Sequence, residues 1–215
     1  GMIEHTDVAL PIGSGRTAAL QESVRAADGG EIGAPTLTRE WYELGVWELE
    51  EDLQAARALE FFALDSQAFP QLQTRYVLGI HENTNAQAQR QARIIAAGTC
   101  IRRELFALDP VLNERVPFRV QQSACTVTLL QAPSDTPPQH LQAPDFVPYG
   151  VFFSHERETV DSEYDGLAHD PRINHTLTLD LDNYGNVTRH CTIAYARRYC
   201  AQQIGEQTLQ YVMCE

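Results

Sequence analysis

His155-Glu156-Arg157-Glu158 opens like the His-Glu pair of a helical zinc hydrolase, whose second His must stand four residues on to share one metal. Position 159 is Thr, and alternation sets the segment on a strand, so a charged sheet face is the expectation. Asp180-x-Asp182-x-Tyr184-Gly185 has the opening of a calcium loop, but Tyr184 stands where an oxygen ligand is wanted, and the twelfth position is Cys191 in place of a bidentate Glu. A hairpin turn fits these residues better. Glu158, Asp161, Glu163, Asp165, Asp170 and His175 crowd one stretch and could serve a two-carboxylate hydrolase; an acidic loop beside a strand is the competing outcome. No nucleophile elbow, phosphate loop or dinucleotide fingerprint is present. Asn174-His-Thr176 and Asn186-Val-Thr188 match a glycosylation sequon in strand or turn context, a weak signal. Cysteines 100, 125, 191, 200 and 214 contain no CxxC pair, which argues against zinc and thioredoxin-type redox sites and for small buried hydrophobes, with a long-range disulfide as the alternative. No catalytic, cofactor-binding or metal-ligating residue is assigned, and no cofactor is expected.

The elements that must position these residues change character at Gly98. Residues 1–37 are rich in Gly, Ala and Pro and are expected to form an irregular connector with one short helix over 17–27. Trp41 to Trp47 is the first strongly apolar cluster. Residues 48–62 then repeat Leu and Ala at helical spacing, and 86–97 is a second helix, with Thr84 or Asn85 as cap and Gly98 at its end. Beyond Gly98 the period falls to two. Strands are expected over 101–108, 116–120, 125–130 and 150–160, and the five prolines of 132–148 make a surface loop. His175 to Asp182 and Val187 to Tyr195 alternate around Asn183-Tyr184-Gly185-Asn186, a β-hairpin with Leu177, Leu179 and Leu181 on one buried face. The fold class is α+β: a β-dominated, mainly antiparallel sheet with two or three helices in the N-terminal half.

The 215 residues carry a net charge of -13, and all 16 cations are Arg. A net basic face for phosphates is lacking, so nucleic acid is not an expected partner. No apolar run approaches the roughly 18 residues that cross a bilayer, so direct membrane insertion is not expected either. Gly1 ahead of Met2 reads as a residue left by tag removal, no Sec-type signal follows, and the alternating end at 207–215 stops without a turn. An excerpt of a longer chain is the expectation.

One passage is specific. His169-Asp-Pro-Arg-Ile-Asn-His-Thr-Leu-Thr-Leu-Asp-Leu-Asp-Asn-Tyr-Gly-Asn-Val187, closing on Ile193-Ala-Tyr-Ala-Arg-Arg198, resembles the middle/C-terminal region of the B component of bacterial insecticidal toxin complexes, related to RHS/YD-repeat proteins. Arg39-Glu-Trp-Tyr-x-x-Gly45, Gly98 through Arg103-Glu-Leu-Phe-Ala-Leu-Asp109, Pro117-Phe-Arg-Val120, Thr126-Val-x-Leu-Leu-Gln131 and Glu158-Thr159 follow the same order. Ala196 replaces the family's usual Gly before the paired Arg, and 164–169 replaces its usual lead-in. The resemblance covers about 38–199 and sets the domains as a connector over 1–37 and a toxin B-component-like domain over 38–215.

The resemblance implies a noncatalytic structural module of the encapsulating β-shell of a secreted toxin. The partners it implies are the remainder of the toxin chain and the C component. A carbohydrate- or receptor-binding β-domain using Trp41, Trp47 and Tyr149 is the alternative, followed by a hydrolase using the Glu158, Asp170 and His175 region. A terminal strand near 208–213 would expose an edge, and a homodimer of the excerpt is expected from it.

Overall fold

The structure, a computed structural model, describes residues 2–7, 36–46, 50–79, 86–107, 116–133, 149–164, 168–197 and 211–214. Nine strands form one sheet: β1 Met2–Asp7, β2 Thr36–Tyr42, β3 Arg75–Val77, β4 Cys100–Ala107, β5 Arg119–Gln131, β6 Val151–Glu163, β7 Arg172–Leu181, β8 Val187–Ala194 and β9 Tyr211–Cys214. Their order is β1-β2-β4-β5-β6-β7-β8-β9, with every neighbour antiparallel. β3 alone runs parallel, beside β5. From β4 onward the chain is an up-and-down meander, as its period-two sequence predicts. The fold is therefore a mainly antiparallel sheet with two helices among the described residues, α1 Glu50–Ala58 and α2 Ala86–Ala96.

β4 and β5 pair only over Arg102–Leu105 and Arg119–Gln122, then part. β3 fills the vacated edge of β5 at Thr126–Thr128. One register row crosses the whole sheet: Met2, Trp41, Arg102, Gln122, Val160, His175, Ile193 and Val212 are successive cross-strand partners and so share a face.

The opposite face carries α2. Ala88, Ala92 and Ala96 recur every four residues and are the helix's buried positions. Their small side chains let the backbone lie close to the strands, and Ala92 and Ala96 pack with Leu78, Val127, Tyr76, Leu129 and Phe152. Gly98 ends the helix at φ 83, the left-handed conformation that a helix stop requires.

The β7–β8 hairpin forms where the sequence places it. Asp182 is its organiser: Oδ1 accepts the N–H groups of Tyr184 and Asn186, each at 2.8 Å, and Oδ2 accepts Asn186 Nδ2 at 2.8 Å. The Asn186 side-chain bond, followed by the Asn186 N–H, holds this carboxyl below its ordinary pKa. Of the three leucines, Leu177 and Leu181 are half-buried, but Leu179 is 44% exposed. The ladder shifts register between Thr178 and Asp180, which leaves Leu179 at a bulge and outside the covered face.

Other expectations need correction. The segment read as an irregular connector contributes strand β1, paired along β2; its expected helix lies outside the described residues, as do the proposed caps of α2 and most of the Pro-rich loop. The strands expected at 116–120 and 125–130 are one 13-residue strand, β5. The first helix stops at Ala58, not near Phe62, because Glu60, Phe61 and Phe62 are drawn onto the sheet by contacts described below. The expected terminal strand is β9, Tyr211–Cys214; it pairs antiparallel with β8 inside the same sheet and stands last in the order of the described strands.

Gly185 sits at φ 86, and a Cβ there would lie 2.7 Å from the Phe153 ring. Gly185→Ala should lower unfolding stability by at least about 1–2 kcal/mol from backbone strain alone, measured by urea denaturation.

Candidate functional site

A strap, residues 59–74, leaves α1 and crosses the sheet face bearing the register row. It has no regular secondary structure: within it the Ala68 N–H donates to the Asp65 carbonyl at 3.1 Å and the Gln67 N–H to Asp65 Oδ1 at 3.0 Å, and other backbone groups need partners from outside. Side chains of the sheet supply them. Glu104 on β4 is fully buried, and its Oε1 accepts the Phe62 N–H at 2.9 Å and Arg102 Nε–H at 2.7 Å. Gln122 on β5, also buried, accepts the Leu72 N–H at 3.1 Å and donates to the Phe69 carbonyl at 3.3 Å. Arg102 donates to Gln71 Oε1 at 3.3 Å and lies 4.5 Å over the Phe61 ring. Arg157 donates to the Gln73 carbonyl at 3.1 Å.

Aromatic contacts pin the same segment. Trp41, 1% exposed, donates its indole N–H to Glu60 at 2.8 Å and meets Phe61 edge-on at 5.2 Å. Phe62 meets Tyr164 edge-on at 5.2 Å, and the Tyr164 hydroxyl donates to Asp65 at 3.3 Å. Phe69 caps His175 and Tyr195 at 5.2 and 5.9 Å.

Under Phe69 lies a cluster with the components of acid–base chemistry. His175 Nε2 is 3.1 Å from Glu158 Oε2, and Nδ1 is 3.1 Å from the Tyr195 hydroxyl. A neutral imidazole protonated at Nε2 satisfies both contacts, donating to Glu158 and accepting from Tyr195. Burial, then the Glu158 charge, pushes the Tyr195 hydroxyl pKa up, which keeps it a donor. Glu158 is also paired with Arg157.

The sequence-nominated trio is therefore split. Glu158 and His175 meet, whereas Asp170 is bound by Arg197, at 3.2 Å through Nε and through its own carbonyl at 2.9 Å. His175 is 6% exposed beneath Phe69. A cleft of about 280 Å³ opens elsewhere, where β4 and β5 part, lined by Thr99, Cys100, Arg102, Arg103, Gln121, Ser123 and Glu156. None of the trio lines it.

Among the described residues no three His, Cys, Asp or Glu side chains are grouped to hold a metal. His155 lies on β6, stacked on Phe153, with its pKa lowered by burial. Asp161 pairs with Arg119 at 2.6 Å; Asp165 lies outside the described residues. For the binding-domain alternative, Trp41 is in the core and Trp47 is outside the described residues, which leaves Tyr149, 72% exposed. Cys125 and Cys191 are buried, as small hydrophobes are.

Sequence reasoning missed Arg102, Glu104 and Gln122. On β4 the alternating charged residues suggest a solvent face, yet Arg102, Glu104 and Phe106 are 6%, 0% and 4% exposed. The available signal was an Arg-x-Glu pair, opposite charges two residues apart and hence on one face.

A broad, mainly antiparallel sheet, covered on one face by a strap held by buried polar side chains and on the other by one helix, defines the class as a β-sheet domain. Residues 91–212 match the family described as insecticide toxin TcdB middle/C-terminal region, and the chain belongs to that family. No curated protein matches it. Among solved structures it is similar to TcdB2-TccC3, with a TM-score of 0.67 and 24% identity over 95% of this chain and 9% of that one. The form of TcdB2-TccC3 without the hypervariable C-terminal region gives 0.67 and 23% over 94% and 8%. The Photorhabdus luminescens Tc holotoxin pore gives 0.62 and 23% over 82% and 8%. The chain thus spans less than a tenth of the length of these relatives, and the likeness is one of fold.

Glu104→Ala should cost about 3–5 kcal/mol, because it strands the buried Arg102 charge and the Phe62 N–H together. Glu104→Gln, which keeps the acceptor, should cost less. Equilibrium denaturation of both variants checks the order.

Proposed function

We propose that this chain is a noncatalytic structural module of the β-shell that encloses the toxic segment of a secreted insecticidal toxin complex. Its partners are the rest of its own longer chain and the C component. The module is taken as residues 38–215, with β1 adding an edge strand from the preceding stretch. The observation that carries this reading is how the polar groups are used: buried Arg102, Glu104 and Gln122 are spent on fixing the strap to the sheet. A wall needs a rigid, fully paired sheet more than a pocket. Family membership supports the reading, as does the fold shared with proteins solved as TcdB2-TccC3 assemblies and as a Tc holotoxin. Against the binding alternative, Trp41 is in the core; against the hydrolase, Glu158 and His175 lie beneath Phe69 while Asp170 is held by Arg197.

The test is protease protection. The full B-type chain carrying this segment, assembled with its C component, should shield the C component's terminal segment from protease. Trp41→Ala together with Glu104→Ala should open the wall and raise cleavage of that segment at least tenfold. Unchanged protection in the double variant would count against a shell role.

A further inference from the structure

Cys191 on β8 is 6% exposed, and Cys214 on β9 is its direct partner in the ladder. Hydrogen-bond phase fixes what kind of pair this is. The Tyr195 N–H donates to the Ile173 carbonyl at 3.0 Å, so the backbone groups of Tyr195 point toward β7. Successive residues alternate edges, and the ladder between 174–177 and 191–194 has no shift. Ile193 and Cys191 therefore also aim their backbone groups at β7. Toward β9, Cys191 and Cys214 form a non-hydrogen-bonded pair, the type whose Cα atoms lie about 4.5 Å apart. That separation falls within the roughly 4.4–6.8 Å that a disulfide bridges.

We propose that Cys191 and Cys214 are an oxidisable cross-strand pair that closes as a disulfide and staples strand β9 to the sheet. The oxidant is a small-molecule disulfide of the glutathione class. One cysteine thiolate attacks a sulfur of oxidised glutathione, forms a mixed disulfide and releases one glutathione thiolate. The second cysteine thiolate attacks the protein sulfur of that mixed disulfide and releases the other. The two protons lost by the protein thiols end on the two glutathione thiolates; the protein is oxidised by two electrons and the glutathione disulfide is reduced. Such a staple would add to the hold on β9, because among the described residues four register pairs join it to β8 and it stands last in the strand order. The pairing does not rest on the shell reading, although a secreted chain would meet conditions that keep such a bond closed.

The experiment oxidises the folded chain with oxidised glutathione, blocks remaining thiols with N-ethylmaleimide, and digests it with trypsin and a Glu-specific protease. Cleavage after Arg197, Arg198 and Glu206 separates Cys191, Cys200 and Cys214 onto different peptides. The expected product joins peptides 190–197 and 207–215 and is two hydrogens lighter than their sum. The oxidised chain should melt higher than the reduced one by on the order of 5 °C. Cys214→Ser should abolish both effects, and Cys200→Ser neither. A crosslink from Cys191 to Cys200, a lasting glutathione adduct, or Cys191 fully blocked by N-ethylmaleimide after oxidation would overturn the proposal.

Discussion

The Glu104 carboxylate, with no solvent exposure, is the point on which the rest of this fold turns. An irregular strap laid over a sheet face buries N–H and C=O groups that have no ladder to join, and each one left bare costs about 1–3 kcal/mol. An all-apolar face would leave the Phe62 and Leu72 N–H groups in that state. Glu104 and Gln122 remove the penalty, and Arg102 neutralises the charge that Glu104 brings into the core. The polar residues on this face are thus a consequence of covering a sheet with a strap instead of a helix.

The two faces solve the same covering problem in different ways. On one, α2 satisfies its own backbone and asks only for close approach, which Ala88, Ala92 and Ala96 give. On the other, the strap gains freedom of path and needs side-chain partners at fixed places, which the register row delivers. Trp41, Arg102, Gln122 and His175 stand on four neighbouring or near-neighbouring strands yet meet one short stretch of chain, because unbroken register puts them in line. The Tyr195–His175–Glu158 chain fits this scheme: it ties the residue that follows β8 to β7 and β6 beneath Phe69.

The hairpin and α2 were legible in the sequence because their signals are local: alternation around Asp182–Asn186, and an Ala-rich helical period closed by Gly98. The strap was not, because a run such as Glu60-Phe-Phe62 continues the helical pattern of α1, and only contacts with Trp41 and Glu104, far apart in sequence, divert it. For the same reason Arg102 and Glu104 look like a solvated face until the segment that covers them is known. Leu179 failed differently. Strict alternation places it inside, but the bulge beside it breaks the period. Of the nominated chemistry, the Glu158–His175 meeting follows from strand register, while Asp170 is held by Arg197 in a contact that no local pattern signals.

Amide hydrogen exchange at Phe62 and Leu72 tests most directly whether the sheet clamps the strap. If Glu104 and Gln122 hold these N–H groups, both amides should exchange only when the sheet opens, with protection comparable to that of central strand β5. Exchange of Phe62 and Leu72 at unstructured-loop rates, while β5 stays protected, would contradict the account.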